Sequence, residues 1–186
     1  MVRILYNYSC NANTMTISIR PEEPADIDEI YDLSKLVFGQ DNEAKLVEYV
    51  RQGPNFIPEL SLVAISDDQL IGYIFFSRIS INNGDYKHQS LGLASMIVHP
   101  AYQKRGIGAK LITHGLQKAT ELGFTAVLVF GHEFYFPKFG FVPAARWNIK
   151  PPFDAPSEVF MALELIPNAL LNVSGTVEFP IEFSVI

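Results

Sequence analysis

The stretch LGLASMIVHPAYQKRGIGAKLITHGLQKATELGFTAVLVFG, residues 91–131, restricts the fold more than any other part of the chain. Its first part is apolar on both faces and reads as a strand from the middle of a sheet. Gly108, Leu111, Ile112, Gly115, Leu116, Ala119 and Leu122 then recur at amphipathic helical spacing, and Gly123 ends the run. TAVLVFG follows as a short buried strand. Strand, helix and strand in this order normally form a crossover between parallel neighbours.

The flanks add elements of both periods. TISIR reads as an opening strand, and PADIDEIYDLSKLVFG as a helix with Ile27, Ile30, Tyr31, Ser34 and Phe38 on one face and Gly39 as its stop. DNEAKLVEYVRQG is a second helix, capped by Asp41 or Asn42, facing inward through Leu46, Val47 and Val50. LSLVAIS and QLIGYIFFSRISI, separated by a polar turn, read as an antiparallel hairpin. EFYFPKFGF has room for only a turn or two of helix, EVFMALELI is a late strand, and GTVEFP an edge strand limited by Pro180. The fold class expected is α+β, with a mixed, mostly antiparallel central sheet flanked by helices. Residues 1–15 read as a loosely ordered leader and residues 16–186 as a single domain, with roughly the last 20 residues an extension.

A chain of 186 residues suits one such domain. No run approaches the ~20 apolar residues of a membrane span, and the first residues lack a signal-peptide pattern. Cys10 is the only cysteine, which excludes an intrachain disulfide and a cysteine-based metal cluster. A soluble, cytoplasmic protein is therefore expected. Twenty acidic residues against 14 Lys and Arg, a net charge of -6, argue against general nucleic-acid binding and suit a cationic substrate.

Against that acidic balance, Lys104, Arg105 and Lys110 surround Gly106 and Gly108 at the mouth of the best helix. The first helical N–H groups lack intrahelical partners and carry partial positive charge, so small residues there let an anion reach the backbone. A local phosphate or pyrophosphate cradle is expected. It is not a Walker loop, because GIGAKL lacks the Gly-Lys-Ser/Thr ending that holds magnesium. Nor is it a dinucleotide loop, because Leu111 stands where the third glycine belongs.

VHPAYQKRGIGAKLI resembles the pyrophosphate-binding motif of the GNAT acetyltransferase superfamily, Q/R-x-x-G-x-G/A, through Gln103, Arg105, Gly106 and Gly108. TISIRPEE, the two helices, the hairpin and FYFPKFGF are similar to that family's other parts, so the resemblance spans about residues 16–166. PFDAPSEVFMALEL and GTVEFP resemble an uncharacterised bacterial branch of predicted N-acetyltransferases.

The resemblance implies acetyl-coenzyme A as donor, with its pyrophosphate on the backbone of Gln103, Lys104, Arg105, Gly106, Ile107, Gly108 and Ala109. It implies that the strand ending in SMIV splays from AVLVF and that the pantetheine arm lies between them. Met96 and Val98 would bond that arm through their backbones, and an N–H near Met96 or Ile97 would face the thioester oxygen. The activity implied is transfer of the acetyl group to a small-molecule or peptide amine by direct attack in a ternary complex, with no metal. The alternative is a catalytically silent coenzyme A sensor or partner module. A homodimer is compatible with either.

In the family the acid is often a tyrosine four residues before the glycine of the short helix, a place held here by Phe136. Tyr135 is adjacent, but one residue turns a helical side chain by about 100°. Tyr135 is thus either the proton donor or a core tyrosine with a tethered hydroxyl. The relatives' carboxylate on the central strand has no counterpart in SLGLASMIV. Glu59 and Glu133 are candidate bases, each also readable as a capping or solvated carboxylate. His99 and His132 read as structural. Phe134, Phe136, Phe139 and Phe141 line either an acceptor pocket or the core.

Overall fold

The computed structural model describes residues 15–184, so the expected leader, residues 1–15, lies outside the described residues except for Met15. The strands are β1 (Ser18–Pro21), β2 (Ser61–Ser66), β3 (Gln69–Asn82), β4 (Lys87–Val98), β5 (Ala126–Phe130), β6 (Val142–Pro143), β7 (Ile149–Lys150), β8 (Phe160–Glu164) and β9 (Gly175–Glu178). The helices are α1 (Ile27–Phe38), α2 (Asn42–Arg51) and α3 (Ile107–Glu121). The sheet runs β1-β2-β3-β4-β5-β8-β6, antiparallel except for the β4–β5 pair that α3 connects. A short parallel β7–β9 pair is attached beside it. The mixed, mostly antiparallel sheet with parallel central strands is the expected fold class.

Alternation along the strands separates the two layers. Leu62, Ala64, Ile74 and Phe76 face Ile107, Leu111 and Ile112 of α3, while Val63, Tyr73 and Phe75 face Ile30 and Leu33 of α1 and Leu46, Val47 and Val50 of α2. The buried stripe of α1 is Ile30, Leu33 and Ser34, with Phe38 exposed and Tyr31 only half-buried. The expected face was therefore turned slightly, because Leu33 and Val37 complete an i, i+3, i+4, i+7 stripe that fits the sheet better. The β2–β3 turn has Asp67 and Asp68 both in the left-handed region, the conformation that matches strand twist in a two-residue hairpin.

Two details of register position the site. Phe75 pairs with Ser95 and Phe76 with Leu93, so Ala94 is the extra residue of a β-bulge in β4. A bulge bends its strand. Beyond it β4 leaves β5, whose parallel pairing covers only Leu91–Leu93 with Val127–Val129, and the two strands splay as expected. The second detail corrects an expectation: β9 is not an edge strand, since it pairs with Ser80–Asn82 of β3 on one side and with β7 on the other. The physical reason is that β2 ends its pairing at Phe75, leaving the outer part of β3 open for β9 to fill.

A polar network locks α2 to this layer. Arg51 Nε donates to Glu22 Oε1 at 2.6 Å, Ser61 Oγ donates to Glu22 Oε2 at 2.6 Å, and the Ser61 and Tyr73 hydroxyls are 2.6 Å apart. Burial pushes the Tyr73 phenol far above its ordinary value, so it stays a neutral partner. Among the described residues no helix is long and apolar enough to cross a membrane.

Candidate functional site

The loop between β4 and α3 is shaped by its own side chains. Pro100–Tyr102 form a single 3-10 turn, with His99 Nδ1 accepting from the Ala101 N–H. Gln103 Nε2 donates to the Val98 carbonyl at 3.1 Å, and Tyr102 Oη donates to Gln69 Oε1 at 2.9 Å. Lys104 at φ 61° and Gly106 at φ 81° are both left-handed, which folds the backbone so that Gly106 becomes the N-cap of α3. Among the described residues no side chain caps this helix. Its first N–H groups therefore remain available to an anion, where the helix dipole favours negative charge.

These groups face a cleft of about 560 Å³. Met96, Ile97, Val98, Gln103, Lys104, Gly106, Ile107, Gly108, Ala109 and Tyr135 all line it, so one cavity gathers most of the residues singled out in the sequence. One wall is the stretch of β4 beyond Leu93 that has no β5 partner. Lys104 and Lys138 bring positive charge to the lining. Arg105 lies outside the lining, with its guanidinium 5.6 Å from the Tyr102 ring centroid. Lys110 lines a different hollow, beside Ile17 and Ile19.

Tyr135 and Phe136 diverge because a short 3-10 helix begins at Phe136. Phe136 turns inward, 6% exposed and edge-on to Phe141. Tyr135, the residue before the turn, points across the cleft at Gly108, and a Cβ there would stand 2.8 Å from its hydroxyl. Its ring is held edge-on by Phe136 and Phe139, with Lys138 Nζ 5.7 Å from the centroid. Burial raises the Tyr135 phenol above its ordinary value, which keeps it protonated.

The candidate carboxylates are elsewhere. Glu59 is exposed in the 3-10 turn before β2, Glu133 is exposed in the turn before Tyr135, and neither lines the cleft. His132 Nδ1 accepts from the Phe134 N–H, a local turn contact. Phe136 and Phe141 belong to the core, Phe134 is 71% exposed, and only Phe139 of that aromatic set lines the cleft. Sequence reasoning missed Val37, Tyr102 and Lys138 as lining residues. Lys138 had one available signal, its i+3 spacing from Tyr135.

The chain matches the Acetyltransferase (GNAT) family over residues 27–141. It is 34% identical over 167 residues to the uncharacterized N-acetyltransferase YhbS of Escherichia coli strain K12, covering 89% of this chain and 98% of that protein. The crystal structure of Escherichia coli YhbS in complex with CoA is similar at a TM-score of 0.85 and 31% identity, covering 91% of this chain and 93% of that one. A GNAT family acetyltransferase from Brucella melitensis in complex with acetyl-CoA is similar at a TM-score of 0.73 and 29% identity, over 91% and 99% of the two chains.

Proposed function

Because the chain belongs to the acetyltransferase (GNAT) family, we propose that it moves an acetyl group from acetyl-coenzyme A to an amine by direct attack within a ternary complex. The observation that carries this reading is the continuity between the uncapped mouth of α3 and the unpaired edge of β4 within one cleft. An extended donor with an anionic end and an amide-bearing arm fits that shape: its diphosphate on the backbone from Gln103 to Ala109, its arm along Met96 and Val98. Two similar solved proteins hold CoA or acetyl-CoA, which supports the same ligand here.

The amine nitrogen adds to the thioester carbonyl carbon; a C–N bond forms and the C–S bond breaks. The nitrogen gives up one proton, and coenzyme A leaves as the thiol after gaining one. A backbone N–H near Met96 or Ile97 stabilises the developing oxyanion. Tyr135 is the proton donor to sulfur, since its hydroxyl enters the cleft and its raised value keeps the proton in place at neutral pH. With Glu59 and Glu133 outside the lining, proton removal from the amine is assigned to solvent. The Tyr135 hydroxyl in the cleft favours chemistry over a silent coenzyme A sensor. Calorimetric titration with coenzyme A, paired with an assay for thiol release across an amine panel, tests this; saturable binding with turnover is expected, and absence of binding overturns it.

A further inference from the structure

We infer that the acceptor amine is carried on an apolar, ring-sized body, received by an aromatic cavity on the face of the sheet opposite α3; this rests on the acetyltransferase reading above. The cavity, about 270 Å³, opens between Leu46 of α2, the floor formed by Gly92, Ala94 and Leu128, and the segment after β9. That volume is just below the usual range of drug-sized ligand sites, about 300 Å³ upward, and suits a ring-sized group.

Five phenylalanines form its wall in an unbroken series of ring contacts. Phe160 meets Phe130 at 6.4 Å, Phe130 meets Phe153 at 5.5 Å, Phe153 stacks on Phe179 at 6.5 Å, and Phe179 stacks on Phe183 at 5.4 Å. Every side chain of the lining is apolar. At the mouth, Phe130 and Phe153 remain 49% and 51% exposed, large rings left in water beside an open hollow. Such exposure is what a chain retains where a ligand completes the burial.

Its position ties the cavity to the donor cleft. Ala94, the bulged residue, lines the aromatic cavity, and Met96, two residues on, lines the cleft. Only Ser95 separates them along β4, at the fork where that strand leaves β5. A ring seated among the phenylalanines therefore directs a nitrogen on a short tether to the fork where the thioester is proposed to lie. The same lining holds no carboxylate, so the additional ammonium groups of a polycationic amine find no counter-ion in it.

The test compares 2-phenylethylamine and benzylamine with spermidine and kanamycin by thiol release, with coenzyme A affinity measured separately by calorimetry. The aromatic amines are expected to exceed the polycations in kcat/KM by about 10-fold or more. Phe153→Ala, a change at a half-exposed ring, should raise the KM for 2-phenylethylamine by about 10-fold while leaving the KM for acetyl-coenzyme A unchanged. Preference for spermidine or kanamycin, or an unaltered KM in Phe153→Ala, overturns the inference while the acetyltransferase reading stands. A kcat/KM that climbs from acetyl- to hexanoyl-coenzyme A at fixed amine also overturns it, because the cavity then serves the donor's own chain. Loss of coenzyme A binding sinks the parent reading instead. In that case the cavity is tested by thermal shift: 2-phenylethylamine should raise the Tm of the native chain and not of Phe153→Ala, and no shift in either refutes it.

Discussion

The two hollows on either side of Ser95 in β4 are built in opposite ways. The α3-side cleft takes most of its lining from one continuous stretch, Met96 to Ala109, and offers backbone: an uncapped helix end and an unpaired strand edge. The aromatic cavity takes its wall from residues 46, 79, 92–94, 128–130, 153, 160, 179 and 183, and offers apolar side chains. A diphosphate is the same in every reaction with one donor, and backbone N–H groups on a rigid helix bind it regardless of most substitutions. An acceptor differs between enzymes, and scattered side chains are free to change with it.

The contrast can be broken at several points. The largest effect is expected from Gly108→Val, since even a Cβ at this position meets the Tyr135 hydroxyl at 2.8 Å and the branches fill the cradle. Coenzyme A affinity should fall by about 1,000-fold, roughly 4 kcal/mol, by calorimetry, with the circular dichroism spectrum unchanged. An affinity within a fewfold of the native chain would mean that the diphosphate sits elsewhere. Tyr135→Phe should come next, lowering kcat by about 100-fold with little change in the KM for acetyl-coenzyme A. The pH profile sharpens that result. A phenol whose value is raised stays protonated as pH climbs, so an alkaline fall in kcat should begin above the ordinary tyrosine value near 10 and vanish in Tyr135→Phe.

On the other side of the fork, Phe179→Ala opens the middle of the stacked series between Phe153 and Phe183. It should raise the acceptor KM by about 10-fold and leave coenzyme A affinity alone, the reverse of the Gly108 result. The smallest effect is expected from Arg105→Ala. Its guanidinium rests on the Tyr102 ring outside the cleft lining, so coenzyme A affinity should drop by about fivefold or less, roughly 1 kcal/mol.

The same contrast explains what was legible beforehand. The loop between β4 and α3 could be read as a turn because its constraints are local: Gly106 starts α3 in the left-handed region within its own segment, and the change of period on either side announces the crossover. The bulge at Ala94 could not, since nothing in LGLASMIV marks which residue the ladder omits and only the facing register with Phe75 and Phe76 decides it. Tyr135 and Phe136 are neighbours whose directions depend on where a 3-10 turn begins, a matter of one residue. The aromatic cavity was hidden by distance. The contiguous set from Phe134 to Phe141 drew the reading, yet the wall is assembled from Phe130, Phe153, Phe160, Phe179 and Phe183, brought together by β8 beside β5 and by β9 filling the open end of β3. Glu59 and Glu133 illustrate the same limit, since each stands near a strand or turn in the sequence yet lies exposed at the surface.

The most direct test is a crystal structure of the chain with coenzyme A bound. The account requires the diphosphate to rest on main-chain N–H groups between Gln103 and Ala109, the pantetheine arm to run along Met96 and Val98, and the sulfur to reach the fork near Ser95 with the Tyr135 hydroxyl beside it. A diphosphate bound away from the mouth of α3, or a sulfur outside the fork, would contradict it.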